Sequence, residues 1–339
     1  MNKKPSSKPT EKTSKRKFID LFAGIGGFRV ALESNGAECV FSSEWDKFAA
    51  KTYEHNFSHK PSGDITKIVE SEIPSHNIIC GGFPCQAFSI SGKQLGFEDI
   101  RGTLFFDIAR IAQHHNPEVI FLENVKNFER HNGGNTLKRV LKVLEEIGYD
   151  TYYQVLNASF YGVPQSRQRI YFVAFRKDLE VGDFHFPKPT FEKICVNDIL
   201  EIEPDDEFFI SRNDITISKE KLRKEKALFD EVMLKPHRIG TINKGGQGER
   251  IYSTHGHAIT LSAYGGGAAG KTGAYYINNK IRKLTPRECL RAQGFPEWYE
   301  FPMEISVSQS YKMCGNSVSV PVINQIYLSI ESTLQKVGH

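Results

Sequence analysis

Phe18-Ile19-Asp20-Leu21-Phe22-Ala23-Gly24-Ile25-Gly26-Gly27 runs from an apolar segment straight into a glycine turn. Phe18–Phe22 reads as a buried strand, and the periodic stretch after Gly27 reads as a helix reaching about Asn35. Strand, glycine turn and helix make the first unit of an alternating pattern. Glu38–Ser43 is the next strand, with a helix from Asp46 to about His55. Ile78–Cys80 and 118–122 follow as strands, 103–115 and 136–147 as helices, and Thr151–Leu156 and Ile170–Phe175 as closing strands. This alternation predicts a parallel α/β sheet with helices on both faces. Ligands of such sheets bind beyond the carboxyl ends of the strands.

Several chemically able residues fall at that edge. Gly24, Gly26 and Gly27 let a ligand approach the backbone at a helix start, although the pattern is not a full dinucleotide fingerprint. Glu44 closes the second strand, where an acid accepts hydrogen bonds from ribose hydroxyls, and Trp45 beside it offers a face to an adenine. Each has a plainer alternative, a surface carboxylate and a core ring. Together they point to an adenosine-containing cofactor.

Past the third strand, Gly81-Gly82-Phe83-Pro84-Cys85-Gln86-Ala87 places one cysteine directly after a proline. The fourth strand ends in Glu123-Asn124-Val125. A thiol held at one strand end beside an acid at another is equipment for nucleophilic catalysis. Alone, such a thiol is as readily a buried structural cysteine. Gln165-Ser166-Arg167-Gln168-Arg169 precedes the last strand, and arginines two apart on extended chain point the same way, toward Glu123, a carbonyl or a phosphate. Gly315-Asn316-Ser317-Val318 offers small polar groups to a pocket, or a helix cap.

The alternation stops after Pro187-Lys188-Pro189, and residues 196–285 read as a second, smaller domain of short strands. From Lys235 to Arg287 there are nine Lys/Arg, one acid (Glu249) and ten glycines. Basic and glycine-rich together point to backbone lying close to a polyanion. Residues 1–17 hold seven Lys/Arg and one Glu, a net +6 within a chain of net +4, and read as a disordered tail. The six cysteines show no paired or metal-ligand spacing, which points to a reducing cytosol. No apolar run approaches the roughly 20 residues of a membrane span.

In this order, Phe18–Phe28, Gly81–Ser89, Glu123–Val125, Gln165–Arg169, Arg282–Glu297 and Tyr311–Val320 resemble the cytosine-5 DNA methyltransferases. Pro84-Cys85-Gln86 with Glu123-Asn124-Val125 is the diagnostic part. The resemblance extends through Ser89–Gln94, Lys244–Thr254 and Ile259–Gly267 to a member that modifies GCGC in a bacterial restriction–modification system. His255, His257 and positions 268–269 depart from it.

The resemblance implies a class I S-adenosylmethionine-dependent, Rossmann-like methyltransferase fold with a smaller, mainly β target-recognition domain. The implied division is a tail over 1–17, a catalytic domain over 18–195 and 308–339, a target-recognition domain over 196–287 and a hinge over 288–307. S-adenosylmethionine would contact Phe22, Gly24, Gly27, Glu44, Trp45, Asp64, Ile65, Pro84, Leu104, Asn316 and Ser317. Catalysis would rest on Cys85, Glu123, Arg167 and Arg169, with the cytosine flipped out of duplex DNA. Gln86, Ser89, Ser91, Gln247, Arg250, Thr260, Tyr264, Gly266 and Gly267 would contact DNA, and the enzyme would act as a monomer. The segment after Cys85, with Gly92, Gly96 and Gly102, would be a closing lid. A transfer RNA methyltransferase and a non-catalytic DNA-binding regulator are the rival readings.

Overall fold

The computed structural model describes residues 15–84, 103–222 and 234–339. Six strands form the first sheet: β1 (Lys17–Leu21), β2 (Glu38–Ser43), β3 (Ile78–Gly82), β4 (Val119–Val125), β5 (Tyr149–Asn157) and β6 (Gln168–Arg176), in the order β2-β1-β3-β4-β6-β5. β2, β1, β3 and β4 are mutually parallel.

β6 departs from the expected all-parallel arrangement. It inserts between β4 and β5 and runs antiparallel to both. The link from β5 to β6 contains one 3₁₀ turn, Ala158–Phe160, and no helix. A parallel pair needs a crossover of a dozen or more residues, usually helical, so a short link sends the chain back the other way.

The inner strands β1, β3, β4 and β6 are largely apolar and buried on both faces, whereas the edge strands β2 and β5 are partly exposed. Alternate side chains feed two cores. Phe18, Ile78, Val119, Phe121 and Val173 belong to one, with α1 (Gly27–Glu33) and the later α7 (Val320–Lys336) over it. Ile19, Ile79, Ile120, Leu122 and Phe172 belong to the other, under α3 (Leu104–His115) and α4 (Asn135–Glu146). Between them in sequence lies α2 (Lys47–Phe57), whose N-terminus Asp46 caps by accepting from the amides of Phe48 and Ala49. Arg16 and Lys17, counted with the tail in sequence, belong to the fold: Lys17 opens β1, and Arg16 is ion-paired with Glu118 and Glu331. Residues 1–14 lie outside the described residues.

The second sheet contains β7 (Ile215–Ile217), β8 (Arg238–Ile242), β9 (Arg250–Ser253), β10 (Ala274–Ile277) and β11 (Lys280–Lys283), ordered β11-β10-β9-β8-β7. Its small core is built on Ile239, Ile242, Ile251 and Ile281. β9 and β10 are parallel, so the chain between them makes a long excursion. That excursion reaches the first sheet: the Ala258 amide donates to the Pro164 carbonyl at 2.6 Å, and Thr260 Oγ1 to the Ser166 carbonyl at 2.6 Å. The chain then forms α5 (Pro286–Gln293) and α6 (Val307–Asn316) and returns to the first sheet as α7. A buried ion pair between Arg282 Nη2 and Glu288 Oε1, at 2.6 Å, joins β11 to α5. No helix among the described residues is long and apolar enough to cross a membrane.

Candidate active site

A cleft of about 600 Å³ opens at the carboxyl edge of β1–β4. Phe22, Gly24, Glu44, Trp45, Asp64 and Ile65 form one end of its wall. Pro84, Leu104, Glu123, Arg167 and Arg169 form the other, closed by Tyr264 and Asn316. Cys85, Gln86, Ser89, Ser91 and the expected lid lie outside the described residues, as the chain passes from the cleft wall at Pro84.

The β1 turn is held in a costly shape. Phe22 and Gly24 both have φ of +56°, and for a residue with a Cβ such as Phe22 this is uncommon. Glu44 restrains the turn: Oε2 accepts from the Gly24 amide at 2.7 Å and Oε1 from the Asp46 amide at 2.7 Å. Burial raises its pKa, against those donors. Each oxygen keeps a lone pair for a further donor. The Trp45 ring is 79% exposed and lies against the cleft. Asp64 is fixed by donors from Thr66, its amide at 3.1 Å and its hydroxyl at 2.8 Å, which hold the carboxylate pKa down.

Gly27 and Ser317 stand behind the wall. A Cβ on Gly27 would lie 2.6 Å from Val318 Cγ2 and 3.3 Å from Ser317 Oγ, so this glycine lets α1 pack on the chain before α7. That is a packing duty, distinct from the ligand approach expected of it.

At the other end, Glu123 is 8% exposed and its Oε1 lies 3.0 Å from Arg169 Nε. Burial raises the Glu123 pKa; the charges of Arg169 and then Arg167 work against it. Arg167 is buried and faces carbonyls. Its Nη2 donates to Ser317 at 2.6 Å and Gly315 at 3.1 Å, and its Nη1 to Leu261 at 3.3 Å. Burial, then the Arg169 charge, lowers its pKa, and these carbonyl dipoles stabilise the cation. Arg167 therefore joins three segments that meet at the cleft.

The sequence reading gave no role to three wall residues. Asn124 Nδ2 donates to the Phe83 carbonyl at 2.9 Å, fastening β4 to the residue pair before Cys85. Asp46 and Lys312 form an ion pair at 2.7 Å, and both line the cleft. Asn124 had a signal in its position after Glu123. Lys312 had none, because its partner is far away in sequence.

Among the expected DNA contacts, Tyr264 is 81% exposed and reaches the cleft. Gln247 and Arg250 flank the turn into β9, away from the cleft wall, and Gly266 and Gly267 are exposed. Thr260 is half-buried with its hydroxyl donating to Ser166.

The cleft wall thus holds Glu44, Trp45 and Asp64 together with the buried Glu123–Arg169 pair. Residues 16–332 match the C-5 cytosine-specific DNA methylase family, and the chain belongs to it. It is thus a DNA (cytosine-5-)-methyltransferase. It is 54% identical over 321 residues to the Type II methyltransferase M.HhaI of Haemophilus parahaemolyticus, covering 94% of this chain and 95% of the relative. It is 43% identical to the Type II methyltransferase M.HpaII of Haemophilus parainfluenzae, covering 99% of this chain and 93% of that one. Among solved structures, Spodoptera frugiperda DNMT2 superposes with a TM-score of 0.69 at 24% identity, covering 94% of this chain and 100% of the other. Entamoeba histolytica EhMeth gives 0.67 at 20%, covering 96% and 100%. These two likenesses concern the fold.

Proposed function

We propose that this enzyme methylates carbon 5 of a cytosine flipped out of duplex GCGC, with S-adenosylmethionine as donor, and protects such sites from a paired restriction endonuclease. The observation that carries the reading is the buried Glu123–Arg169 pair on the same cleft wall as Pro84, one residue from Cys85.

Cytosine carbon 5 is a poor nucleophile. The Cys85 thiolate bonds to carbon 6, and the ring electrons move toward nitrogen 3. Burial raises the Glu123 pKa, which favours its acid form as the proton donor to that nitrogen. Arg169 holds the ring carbonyl oxygen and orients Glu123. S-adenosylmethionine, when bound, would supply an electrophilic methyl group to carbon 5 of the enamine and leave as S-adenosylhomocysteine. Loss of the carbon 5 proton to a base, departure of Cys85 from carbon 6 as thiolate and return of the nitrogen 3 proton to Glu123 restore the aromatic ring. The base reaches the site only after leaving the stack.

The cleft suits the donor. Glu44 retains acceptor capacity for ribose hydroxyls, Trp45 presents an exposed ring, and Asp64 is a held carboxylate at the same wall. Gly24, Phe22 and Ile65 stand beside them, and Leu104 and Asn316 line the same cleft. Gln247 and Arg250 read guanines, with Arg250 suited to a bidentate contact, while Gln86, Ser89, Ser91, Thr260, Tyr264, Gly266 and Gly267 hold the strands. Residues 18–195 and 308–339 act as the catalytic domain, 196–287 as the target-recognition domain and 288–307 as the hinge, in a monomer of the bacterial cytosol.

Bisulfite sequencing of mixed-sequence DNA after incubation with enzyme and S-adenosylmethionine tests the reading. Protected cytosines should fall in GCGC, and transfer RNA should remain unmodified. Cys85→Ser should abolish transfer while duplex binding persists. Turnover by that variant would overturn the mechanism.

A further inference from the structure

The two glycine-rich segments assigned above to DNA reading grip each other. Gly248 sits between Gln247 and Arg250 in the turn into β9, and is buried. A Cβ on Gly248 would lie 1.8 Å from the Gly266 carbonyl oxygen and 2.7 Å from the Gly270 Cα. On Gly270 it would lie 1.9 Å from that same Gly266 oxygen, and on Gly265 1.7 Å from the Gly270 oxygen. All three neighbours are backbone, so no side chain can swing aside. Unlike Gly267, with φ of +85°, none of the three has positive φ. Glycine is required at these positions for space, and not for conformational freedom.

Hydrogen bonds close the contact. The Ala269 amide donates to the Gly248 carbonyl at 2.9 Å, and Gly273 to Ala269 at 2.8 Å. Lys271 Nζ ties the far side to Ser308 Oγ at 2.9 Å, at the start of α6. Gly266, by contrast, has open space where a Cβ would stand.

We infer that Gly248, Gly265 and Gly270 form a preset clasp that fixes Gln247 and Arg250 in register with Tyr264 and Gly266, making them specificity-positioning residues. The inference rests on the assignment of those flanking residues to sequence reading. Two loops locked as one body present base contacts at a fixed spacing before DNA arrives, which lowers the ordering cost of binding. Prising the loops apart by one methyl group moves both sets of contacts together.

The test compares kcat/KM on a GCGC duplex with its four single-position variants, for wild type, Gly248→Ala, Gly270→Ala and the double variant. Each single variant should reduce discrimination at least tenfold, at positions read by both loops. The double variant should lose no more than the worse single one, because either methyl already opens the clasp. S-adenosylmethionine binding, followed by calorimetry, should stay at the wild-type affinity and so report an intact first sheet. Unchanged discrimination, or additive losses, would overturn the clasp. Arg250→Ala separates this from the underlying assignment: if it relaxes specificity while the glycine variants do not, the clasp alone fails. If Arg250→Ala also has no effect, the reading assignment fails with it. Should the glycine variants not fold, amide exchange in the wild-type enzyme decides. The Ala269 amide should exchange far more slowly than that of Gly266, and equal rates would refute a preset clasp.

Discussion

Arg169 Nε stands 3.0 Å from Glu123 Oε1, and the pairing of their strands puts it there. Val125 of β4 lies opposite Arg169 of β6, and Glu123 lies opposite Tyr171. Glu123 and Arg169 are therefore diagonal neighbours on one face, within reach of a long side chain. Because β6 runs antiparallel, its first residues arrive at the edge where the parallel strands end. A buried acid is thereby paired with a cation while burial still raises its pKa.

Glu123→Gln keeps the shape and removes the proton donor. Single-turnover methyl transfer should slow by about 10²–10⁴-fold, the usual range for a lost general acid. S-adenosylmethionine affinity should hold. Wild-type turnover should also decline as pH rises through the elevated Glu123 pKa, because the donor is then ionised. A Glu123→Gln rate within a few-fold of wild type would remove Glu123 from the chemistry.

Arg167→Lys keeps a positive charge and loses the planar fork. One ammonium cannot reach the carbonyls of Leu261, Gly315 and Ser317 together in the guanidinium's geometry. Each orphaned buried carbonyl costs about 1–3 kcal/mol. Urea unfolding should show an unfolding free energy lowered by an amount of that order, and an unchanged midpoint would mean the fork is dispensable.

Asp20 lies on β1 opposite Cys80 and is fully buried. Burial raises its pKa well above the ordinary carboxylate value, with Arg29 the largest opposing influence. A raised folded-state pKa means the stability is full at acid pH and is lost as pH rises toward the folded value. The loss is about 1.4 kcal/mol for each pH unit over which only the unfolded chain ionises. Asp20→Asn should therefore melt close to wild type near pH 4 and increasingly above it toward pH 8. Parallel melting temperatures across that range would contradict the assignment.

Arg250→Ala should weaken preference at one guanine by roughly 1–3 kcal/mol, leaving the other positions near wild type. Competition between duplexes differing at single positions measures this. A uniform loss across all duplexes would make Arg250 a phosphate contact.

Local pattern made much of this molecule legible. Apolar runs ending in glycine or acid marked β1–β4, and their common direction placed Gly24, Glu44 and Glu123 at one edge before any coordinates. The helix starts expected at Asp46 and 103 fall on the N-caps of α2 and α3, Asp46 and Thr103. The linear motifs alone carried the family. Three relationships needed the folded chain. β6 reverses because its link to β5 has no helix, and that reversal brings Arg169 to Glu123. The excursion between β9 and β10 crosses to Pro164–Arg167, which brings Tyr264 to the cleft. Gly248 and Gly270, 22 positions apart, touch only through backbone. Residue type and periodicity decide which segments become strands and helices, since those preferences act over a few neighbours. Which strand lies beside which, and which loop closes on another, depends on hydrogen bonds and packing between distant segments, and only the tertiary structure decides that.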